Sequence, residues 1–258
     1  AKAALDMAGL SPSELDMIIV ATATPDRTFP STACILQSRL GLKNCPAFDI
    51  SAACAGFIYA LSNADQYIRN GSAKTILVVG SEAISRIVDW TDRNTCVLFS
   101  DGAGAVVLRT DNAPGVRSTH IHSNGQYKDL LYAPNHLGEI SEPPYIKMQG
   151  SEVFKLAVNT LHDIVDETLS ANNVSKEEID WLIPHQANHR IISKLARKLD
   201  LSMEQVVLTI QNHGNTSAAS IPLAFDVAVR DGRIKRGDTL LMEAFGAGFV
   251  WGSALVDF

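Results

Sequence analysis

The chain has 258 residues, of which 46% are hydrophobic and 19% are charged, and its formal net charge is −6. This length is enough for one large core or two fused half-domains, and the acidic balance argues against a nucleic-acid partner. No apolar run reaches the ~18 residues of a membrane span, so we predict a cytoplasmic protein that does not bind membranes. The four cysteines form no CxxC pair, which favours free thiols and predicts no metal site.

The first part of the chain alternates strand and helix patterns. A short helix at 1–8 ends at Gly9, begins without a capping residue and has no strand before it. We therefore expect several tens of residues to be absent from the N-terminus. Apolar patterns and capping residues then predict helices at 32–40 and 54–69, and strands at 17–24, 47–50, 75–80 and 105–109.

The second part of the chain repeats this order after an initial strand and a long helix. Alternating strands and helices favour mainly parallel sheets covered by helices. The predicted helices lie at 151–171, 190–199 and 217–229, and the predicted strands at 116–122, 181–184, 206–210, 239–244 and 251–256.

The sequence matches itself at a fixed spacing. A shift of 164 residues lays segments 13–19, 53–55 and 74–77 on similar segments of the second part, and Cys54 then meets Ala218. A shift of 144 aligns 101–104 with 245–248, so the first half carries about twenty additional residues near 82–99. Three matches at one shift indicate a duplication, with an N-terminal half at 1–110 and a C-terminal half at 111–258.

Cys54 lies among small residues at the start of a predicted helix. A thiol there faces unpaired backbone N–H groups and the positive end of the helix dipole, which both favour the reactive thiolate. Small neighbours leave room for a substrate carbonyl. The alternative is a buried, unreactive cysteine on a core helix.

Two later segments supply partners for this thiol. His185 stands in the segment Pro-His-Gln-Ala-Asn, and Asn215 in the segment Asn-His-Gly-Asn-Thr-Ser. A cysteine with a histidine and an asparagine far away in sequence is typical of acyl-transfer sites. Alternatively, His185 ends a strand and is satisfied by backbone groups, and Asn215 only forms a turn.

Four segments in this order resemble the β-ketoacyl-acyl carrier protein synthase III family of the thiolase superfamily. They are Ala-Cys-Ala-Gly-Phe at 53–57, His-Gln-Ala-Asn at 185–188, Gly-Asn-Thr-Ser-Ala-Ala-Ser at 214–220 and Phe-Gly-Ala-Gly-Phe-Val-Trp-Gly at 245–252. The resemblance implies an α/β fold of the thiolase type, a five-layered αβαβα sandwich built from two repeated halves. The family's N-terminal strand, and a Trp and an Arg that hold coenzyme A, have no counterpart here, which agrees with the expected truncation.

The resemblance implies an acyltransferase that initiates type II fatty acid synthesis. Cys54 takes an acyl group from acyl-CoA, with acetyl-CoA expected, and the acyl group condenses with malonyl-acyl carrier protein as CO₂ is lost. His185 and Asn215 promote the decarboxylation, and the backbone N–H groups of Cys54 and Ala247 form an oxyanion hole. Related enzymes commonly have glycine where Ala247 stands, and alanine serves if its φ is negative. Both thioesters are substrates, and no cofactor is implied.

The resemblance also implies residues that bind substrate. Phe29 and Phe99 correspond to the acyl pocket, Arg93 to a coenzyme A contact, and Asn188 to a position near the pantetheine arm. Aromatic side chains are core residues by default, so both phenylalanines have that alternative.

A basic group follows the His185 segment. Arg190, Lys194, Arg197 and Lys198 have the spacing of a single helix face. The resemblance implies that this face receives the acidic acyl carrier protein, and the alternative is an ordinary solvated helix face.

Segment 84–90, part of the additional stretch, is too apolar for a free loop, so we expect a homodimer that covers it.

Other members of the superfamily are alternatives, since a plant-type polyketide synthase and a hydroxymethylglutaryl-CoA synthase share much of the chemistry. A degradative thiolase needs a second catalytic cysteine, and none follows Cys96. The duplicated α/β pattern disfavours a papain-like protease, whereas an inactive fragment that only dimerises stays open, as does the primer preference.

Overall fold

The computed structural model describes residues 1–113, 115–134 and 143–258. The first half of the chain forms a four-stranded sheet of order β2-β1-β3-β4. Strand β1 is parallel to β2 and β3, and β4 runs antiparallel to β3. The strands are β1 (Met17–Ala21), β2 (Ala47–Ile50), β3 (Thr75–Glu82) and β4 (Gly102–Arg109).

The second half forms a sheet of order β5-β10-β9-β8. Strands β8 and β9 are parallel, while β10 is antiparallel to both β9 and β5. Its strands are β5 (Val116–Ser123), β8 (Trp181–Pro184), β9 (Thr239–Gly246) and β10 (Val250–Asp257). A short ribbon joins β6 (Leu131–Tyr132) to β7 (Lys147–Met148).

Helices cover both sheets and separate them. The described helices are α1 (Lys2–Ala8), α2 (Thr32–Arg39), α3 (Gly56–Arg69), α4 (Arg93–Cys96), α5 (Gly150–Asn172), α6 (His189–Lys198), α7 (Ile210–His213) and α8 (Ser220–Arg230). One apolar cluster surrounds α3 and α8 between the sheets, a second packs α1 and α2 on the first sheet, and a third packs α5 and α6 on the second sheet. None of the helices in the described ranges is long and apolar enough to cross a membrane.

This layering follows from strand alternation. In β1, Ile19 packs into the central cluster, whereas Ile18 packs into the outer cluster with α1 and α2. Both faces of each sheet are therefore buried, which parallel strands require. The predicted αβαβα sandwich is confirmed.

The two halves share fine structural details at a shift of 164. Ser11 and Glu14 form a capping box, and Ser175 and Glu178 form the same box in the second half. Strands β3 and β9 have equivalent ends at this shift. The sequence repeat is thus a repeat of local hydrogen bonding as well as of residue types.

Two predictions about the repeat are wrong: the shift of 144 for the closing strands, and the excess of about twenty residues in the first half. Gly80 lies opposite Gly104 in the first sheet, and Ala244 lies opposite Gly252 in the second. The closing strands therefore correspond at a shift of 148, and the first half is longer by sixteen residues. The 144 shift matched glycine-rich sequences that occupy different places in the strands.

The predicted strand at 206–210 is reduced to one bridge, between Val206 and Leu182. The side chain of Gln186 explains this, because its amide nitrogen donates to the Val207 carbonyl and its oxygen accepts from the N–H groups of Thr209 and Ile210. A side chain thus satisfies backbone groups that a neighbouring strand would otherwise pair.

Candidate active site

Cys54 lies in a 3₁₀ turn, Ala53–Ala55, that leads into α3. The predicted helix therefore begins two residues later, at Gly56. A Cβ at Gly56 would stand 3.1 Å from the Cβ of Ala21 and 3.3 Å from that of Ala218. Glycine thus lets the start of α3 pack closely between β1 and the equivalent turn of the second half.

The Cys54 thiol is buried, with 7% of the residue exposed. Burial raises its pKa to about 12, and the Glu82 carboxylate adds to this rise, whereas a hydrogen bond with Ser217 opposes it. This rise opposes the thiolate expected at the helix start, because desolvation outweighs the hydrogen bonds of the Ser217 hydroxyl and the Cys54 N–H. At neutral pH the group is a thiol.

The end of β9 packs against the backbone of this turn. A Cβ at Gly246 would lie only 2.7 Å from the Cys54 nitrogen and 3.1 Å from the Ala55 nitrogen. The next residue, Ala247, does not have a positive φ, so the condition for alanine at this position is met. The structure thus places the Ala247 segment directly beside the Cys54 N–H.

His185 follows β8 and is buried, with 3% exposed. Its backbone N–H donates to the Glu243 carbonyl, and its ring meets the Phe245 ring edge-on at 5.7 Å between centroids. Nδ1 lies 2.7 Å from the Ser220 hydroxyl. Burial lowers the pKa of His185 to about 3, so the imidazole is neutral.

Both backbone hydrogen-bonding groups of Asn215 are paired with the segment around Phe99. Its N–H donates to the Leu98 carbonyl, and its own carbonyl accepts from Ser100. The side-chain oxygen accepts from the Ser217 N–H at 2.9 Å. Because the oxygen is engaged, the amide NH₂ is the group left to donate.

These contacts bring the three predicted catalytic residues together. Phe245 and Gly246 are successive residues of β9, and they contact His185 and the Cys54 turn respectively. The Cys54 turn also packs against the 3₁₀ turn that follows Asn215. The site therefore lies where β8 and β9 end and where α3 and α8 begin.

The predicted pocket residues differ in placement. Phe99 pairs with Asn215 in a backbone bridge and packs with Ile84 and Val88, so it lies beside the site. Phe29 stands in the connection between β1 and α2 and is 83% exposed. The chain's own fold does not bury Phe29 in a pocket.

The predicted coenzyme A contacts lie at helix starts. Arg93 is exposed at the first position of α4, which Asp92 caps. Asn188 caps α6, since its side-chain oxygen accepts from the Ile191 N–H at 3.0 Å. Because the oxygen is engaged in that hydrogen bond, the amide NH₂ is the group available to a ligand.

The basic group lies on α6, as its spacing predicts. Arg190, Lys194 and Arg197 are exposed, and Lys198 is half-buried. Lys198 donates to the side chain of Asn159 at 3.1 Å. The Lys194 ammonium lies 5.5 Å above the centre of the Phe154 ring. Two of the four charges therefore also contact α5.

Sequence reasoning missed three residues around this site. Glu82 and Ser217 share a hydrogen bond near Cys54, and Ser220 contacts the His185 ring. The repeat offered a signal, because a shift of 164 lays Glu82 on Gly246 and so places a carboxylate at a strand end that borders the site.

Comparisons with known protein families identify the family of this chain. Residues 48–125 match the family described as 3-oxoacyl-[acyl-carrier-protein (ACP)] synthase III, and residues 169–258 match its C-terminal family. The chain is 65% identical over 256 residues to the beta-ketoacyl-[acyl-carrier-protein] synthase III of Methylococcus capsulatus, covering 98% of this chain and 80% of the relative. The synthase of the same name from Thioalkalivibrio sulfidiphilus is 60% identical, with 100% and 82% covered.

Solved structures give the same result. The crystal structure of 3-oxoacyl-[acyl-carrier-protein] synthase III from Aquifex aeolicus superposes with a TM-score of 0.96 at 50% identity, and the match covers 100% of this chain and 82% of that one. Sequence and structure therefore agree over the whole chain. The chain belongs to the β-ketoacyl-[acyl-carrier-protein] synthase III family.

Proposed function

We propose that Cys54, His185 and Asn215 carry out the condensation that defines this family. The chain is an acyltransferase that initiates fatty acid synthesis by joining acyl-CoA to malonyl-acyl carrier protein, which yields 3-oxoacyl-acyl carrier protein and CO₂. The observation that carries the residue assignment is the meeting of a buried thiol, a neutral imidazole and an amide donor at the ends of β8 and β9.

The first step is acyl transfer to Cys54. Its sulfur attacks the thioester carbonyl, the bond to coenzyme A breaks, and the thiol proton passes to the leaving sulfur. Since burial raises the pKa of this thiol to about 12, the proton leaves as the new bond forms. The N–H groups of Cys54 and Ala247 stabilise the oxyanion.

The second step is decarboxylation of the malonyl group. Loss of CO₂ leaves an enolate whose oxygen gathers negative charge, and each donor aimed at that oxygen is worth about 3 kcal/mol. Asn215 offers its amide NH₂. The Ser220 hydroxyl accepts from the Gln186 N–H, so its own proton is available to Nδ1 of His185, and the neutral ring then carries a proton on Nε2.

The enolate carbon then attacks the acyl group on Cys54. A second tetrahedral intermediate forms at the same oxyanion hole, and its collapse releases the product and expels the Cys54 sulfur as a thiolate. One proton from solvent then restores the thiol. This sequence uses only groups of the chain, its two substrates and that proton, so the proposed mechanism needs no cofactor.

Substrate binding extends the proposal outward from the site. Phe99 borders the acyl group, and Arg93 and the NH₂ group of Asn188 contact coenzyme A. Acetyl-CoA is the proposed primer and the cytoplasm the proposed compartment. The α6 face receives the acyl carrier protein, and the exposure of three of its four charges supports this.

We also propose a homodimer. Phe29, Trp90 and Val97 are large apolar side chains in the first half that are 83%, 67% and 64% exposed. Such side chains favour burial against a second copy. Light scattering at micromolar concentration is expected to give twice the chain mass, and a monomer contradicts the proposal.

The assignment of the nucleophile is tested by labelling. Wild-type protein incubated with radiolabelled acetyl-CoA is expected to carry the label on the peptide that contains Cys54. Cys54→Ser loses the label, and Cys45→Ser, a matched change at another buried free cysteine, keeps it. Label that persists in Cys54→Ser contradicts the proposal, and an unlabelled wild type supports the inactive-fragment alternative.

A further inference from the structure

The Glu82 carboxylate joins the two halves of the molecule beside the proposed site. Glu82 ends β3 and is 5% exposed. From the first half it accepts the Thr24 hydroxyl at 2.6 Å and the Ala23 N–H at 3.1 Å. From the second half it accepts the Ser217 hydroxyl at 3.1 Å.

All the partners of this carboxylate are donors. The Thr22 hydroxyl at 3.4 Å and the Ala218 N–H complete a set of five donor groups. The pKa of Glu82 is raised, because burial outweighs the hydrogen bonds that lower it. The Ala23 and Ala218 N–H groups can only donate, so they favour the ionised form, and the three hydroxyls can donate to it as well.

Ser217 links Glu82 to Asn215 through two hydrogen bonds. Its φ of 50° lies in the left-handed region, which a serine occupies only when its surroundings hold it there. The Ser217 hydroxyl binds Glu82, and the Ser217 N–H binds the side-chain oxygen of Asn215. The carboxylate therefore fixes the turn that orients the Asn215 amide.

We propose that Glu82 is a positioning residue for the condensation, which acts through Ser217 to aim the Asn215 amide NH₂ at the malonyl thioester. This inference rests on the proposed role of Asn215. The residue equivalent to Glu82 in the second half is Gly246, which contacts the Cys54 turn through backbone alone. The carboxylate is thus a feature of only one of the two repeated strand ends.

A second consequence involves charge. The negative charge of Glu82 acts on the Cys54 thiol and raises its pKa, and His185 is neutral beside it. A serine hydroxyl has a single proton, so Ser217 cannot give it to Glu82 and to a Cys54 thiolate at once. An uncharged residue at position 82 therefore removes the coulombic contribution that raises the pKa of the Cys54 thiol.

The test separates positioning from folding. Glu82→Gln keeps the shape and removes the charge, and Ser217→Ala removes the link. We expect each change to slow decarboxylation of malonyl-acyl carrier protein by about tenfold to a hundredfold, with a smaller effect on acetylation of Cys54. Combining the two changes adds little, because they break one path.

The pH dependence of iodoacetamide alkylation of Cys54 gives an independent measurement. In Glu82→Gln the midpoint moves to lower pH, and Glu82→Asp, which keeps the charge, stays near the wild-type value. Glu14→Gln is the matched control, because Glu14 binds only within its own capping box, and it leaves both half-reactions and the alkylation profile unchanged.

Three outcomes overturn the inference: no change in Glu82→Gln, an equal loss of both half-reactions in that variant, or an unshifted alkylation midpoint. The proposed function fails separately, if Asn215→Ala decarboxylates at the wild-type rate. Loss of decarboxylation in Asn215→Ala with a normal Glu82→Gln enzyme overturns only the role of Glu82.

Discussion

Two turns of the molecule have the same backbone and different chemistry. The turns Ala53–Ala55 and Ser217–Ala219 are both 3₁₀ turns that lead directly into a helix. Each begins in the left-handed region, with φ of 42° at Ala53 and 50° at Ser217. Duplication thus supplied one strained turn twice, and the two copies face each other across the centre of the molecule.

The two turns differ in the side chains that they carry and that pack against them. The first turn carries Cys54, where the second carries Ala218. Gly246 lies against the first turn without a side chain, while Glu82 binds the second turn through hydrogen bonds. In the proposed mechanism, the first turn holds the nucleophile and its oxyanion hole, and the second orients the Asn215 amide.

The largest expected effect comes from closing the space beside the first turn. In Gly246→Ala the new Cβ would meet the Cys54 nitrogen at 2.7 Å, and a backbone atom cannot move aside as a flexible side chain does. We expect acetylation of Cys54 to slow by about a hundredfold. The rate of label transfer from acetyl-CoA measures this. A normal rate means that the close packing of β9 on the turn is not required.

The proposed donors to the enolate are tested next through His185, which contacts Ser220 just after the second turn. His185→Ala is expected to slow decarboxylation by about a hundredfold, which corresponds to ~3 kcal/mol, because one donor to the enolate is lost. Ser220→Ala should have a smaller effect in the same direction, since it removes only the group that orients the ring. CO₂ release from malonyl-acyl carrier protein measures both. A larger loss in Ser220→Ala than in His185→Ala contradicts this assignment.

Buried titratable groups predict a pH window of stability. Burial lowers the pKa of His185 from 6.5 to about 3, so the unfolded chain binds a proton below pH 6.5 that the folded chain does not. Stability contributed by the neutral ring is therefore lost as pH falls from 6.5 to 3. The raised pKa of Cys54, 9 to about 12, has the opposite sign and removes stability as pH rises above 9.

Urea unfolding between pH 4 and pH 10 checks this window. His185→Gln is expected to flatten the acid limb, and Cys54→Ala the alkaline limb, each without changing the other. If the free energy of unfolding depends on pH with the wild-type slope in both variants, other groups control the pH dependence and this prediction is contradicted.

The smallest effect is expected at the α6 face, away from both turns. Reversing Arg190 and Lys194 to Glu should lower kcat/KM for malonyl-acyl carrier protein by about tenfold at low salt, through slower association. The loss shrinks at high salt, because screening acts over about 8 Å at physiological ionic strength. Malonyl-CoA should react at the wild-type rate.

A matched double reversal tests whether this effect is local. Lys2 and Lys235 are exposed and belong to other parts of the surface, so reversing both changes the net charge equally. An equal loss in this control, or an equal loss with malonyl-CoA, contradicts docking at α6.

Sequence reasoning located much of this arrangement. Strong apolar periodicity placed β1, β3 and β9 to within a few residues, and the residue types around Cys54, His185 and Asn215 predicted the site. These features are local in sequence. The repeat at a shift of 164 then gave the two halves without further information.

The remaining features depend on contacts between distant residues. Glu82 and Ser217 are 135 positions apart, and neither stands in a recognisable motif with the other. The sequence favoured a Cys54 thiolate because helix position is visible in sequence, whereas the burial that raises the pKa of this thiol is not. Phe29 was expected in a pocket from the family resemblance, whereas it is 83% exposed in this chain.

The division of work between the two turns is tested most directly by measuring both half-reactions in Cys54→Ser and Asn215→Ala. We predict that Cys54→Ser loses acylation by acetyl-CoA and retains decarboxylation of malonyl-acyl carrier protein. Asn215→Ala should show the reverse pattern, with acylation of Cys54 retained and decarboxylation slowed by about a hundredfold. If both variants lose both half-reactions in parallel, the two turns do not have separate functions and the account is contradicted.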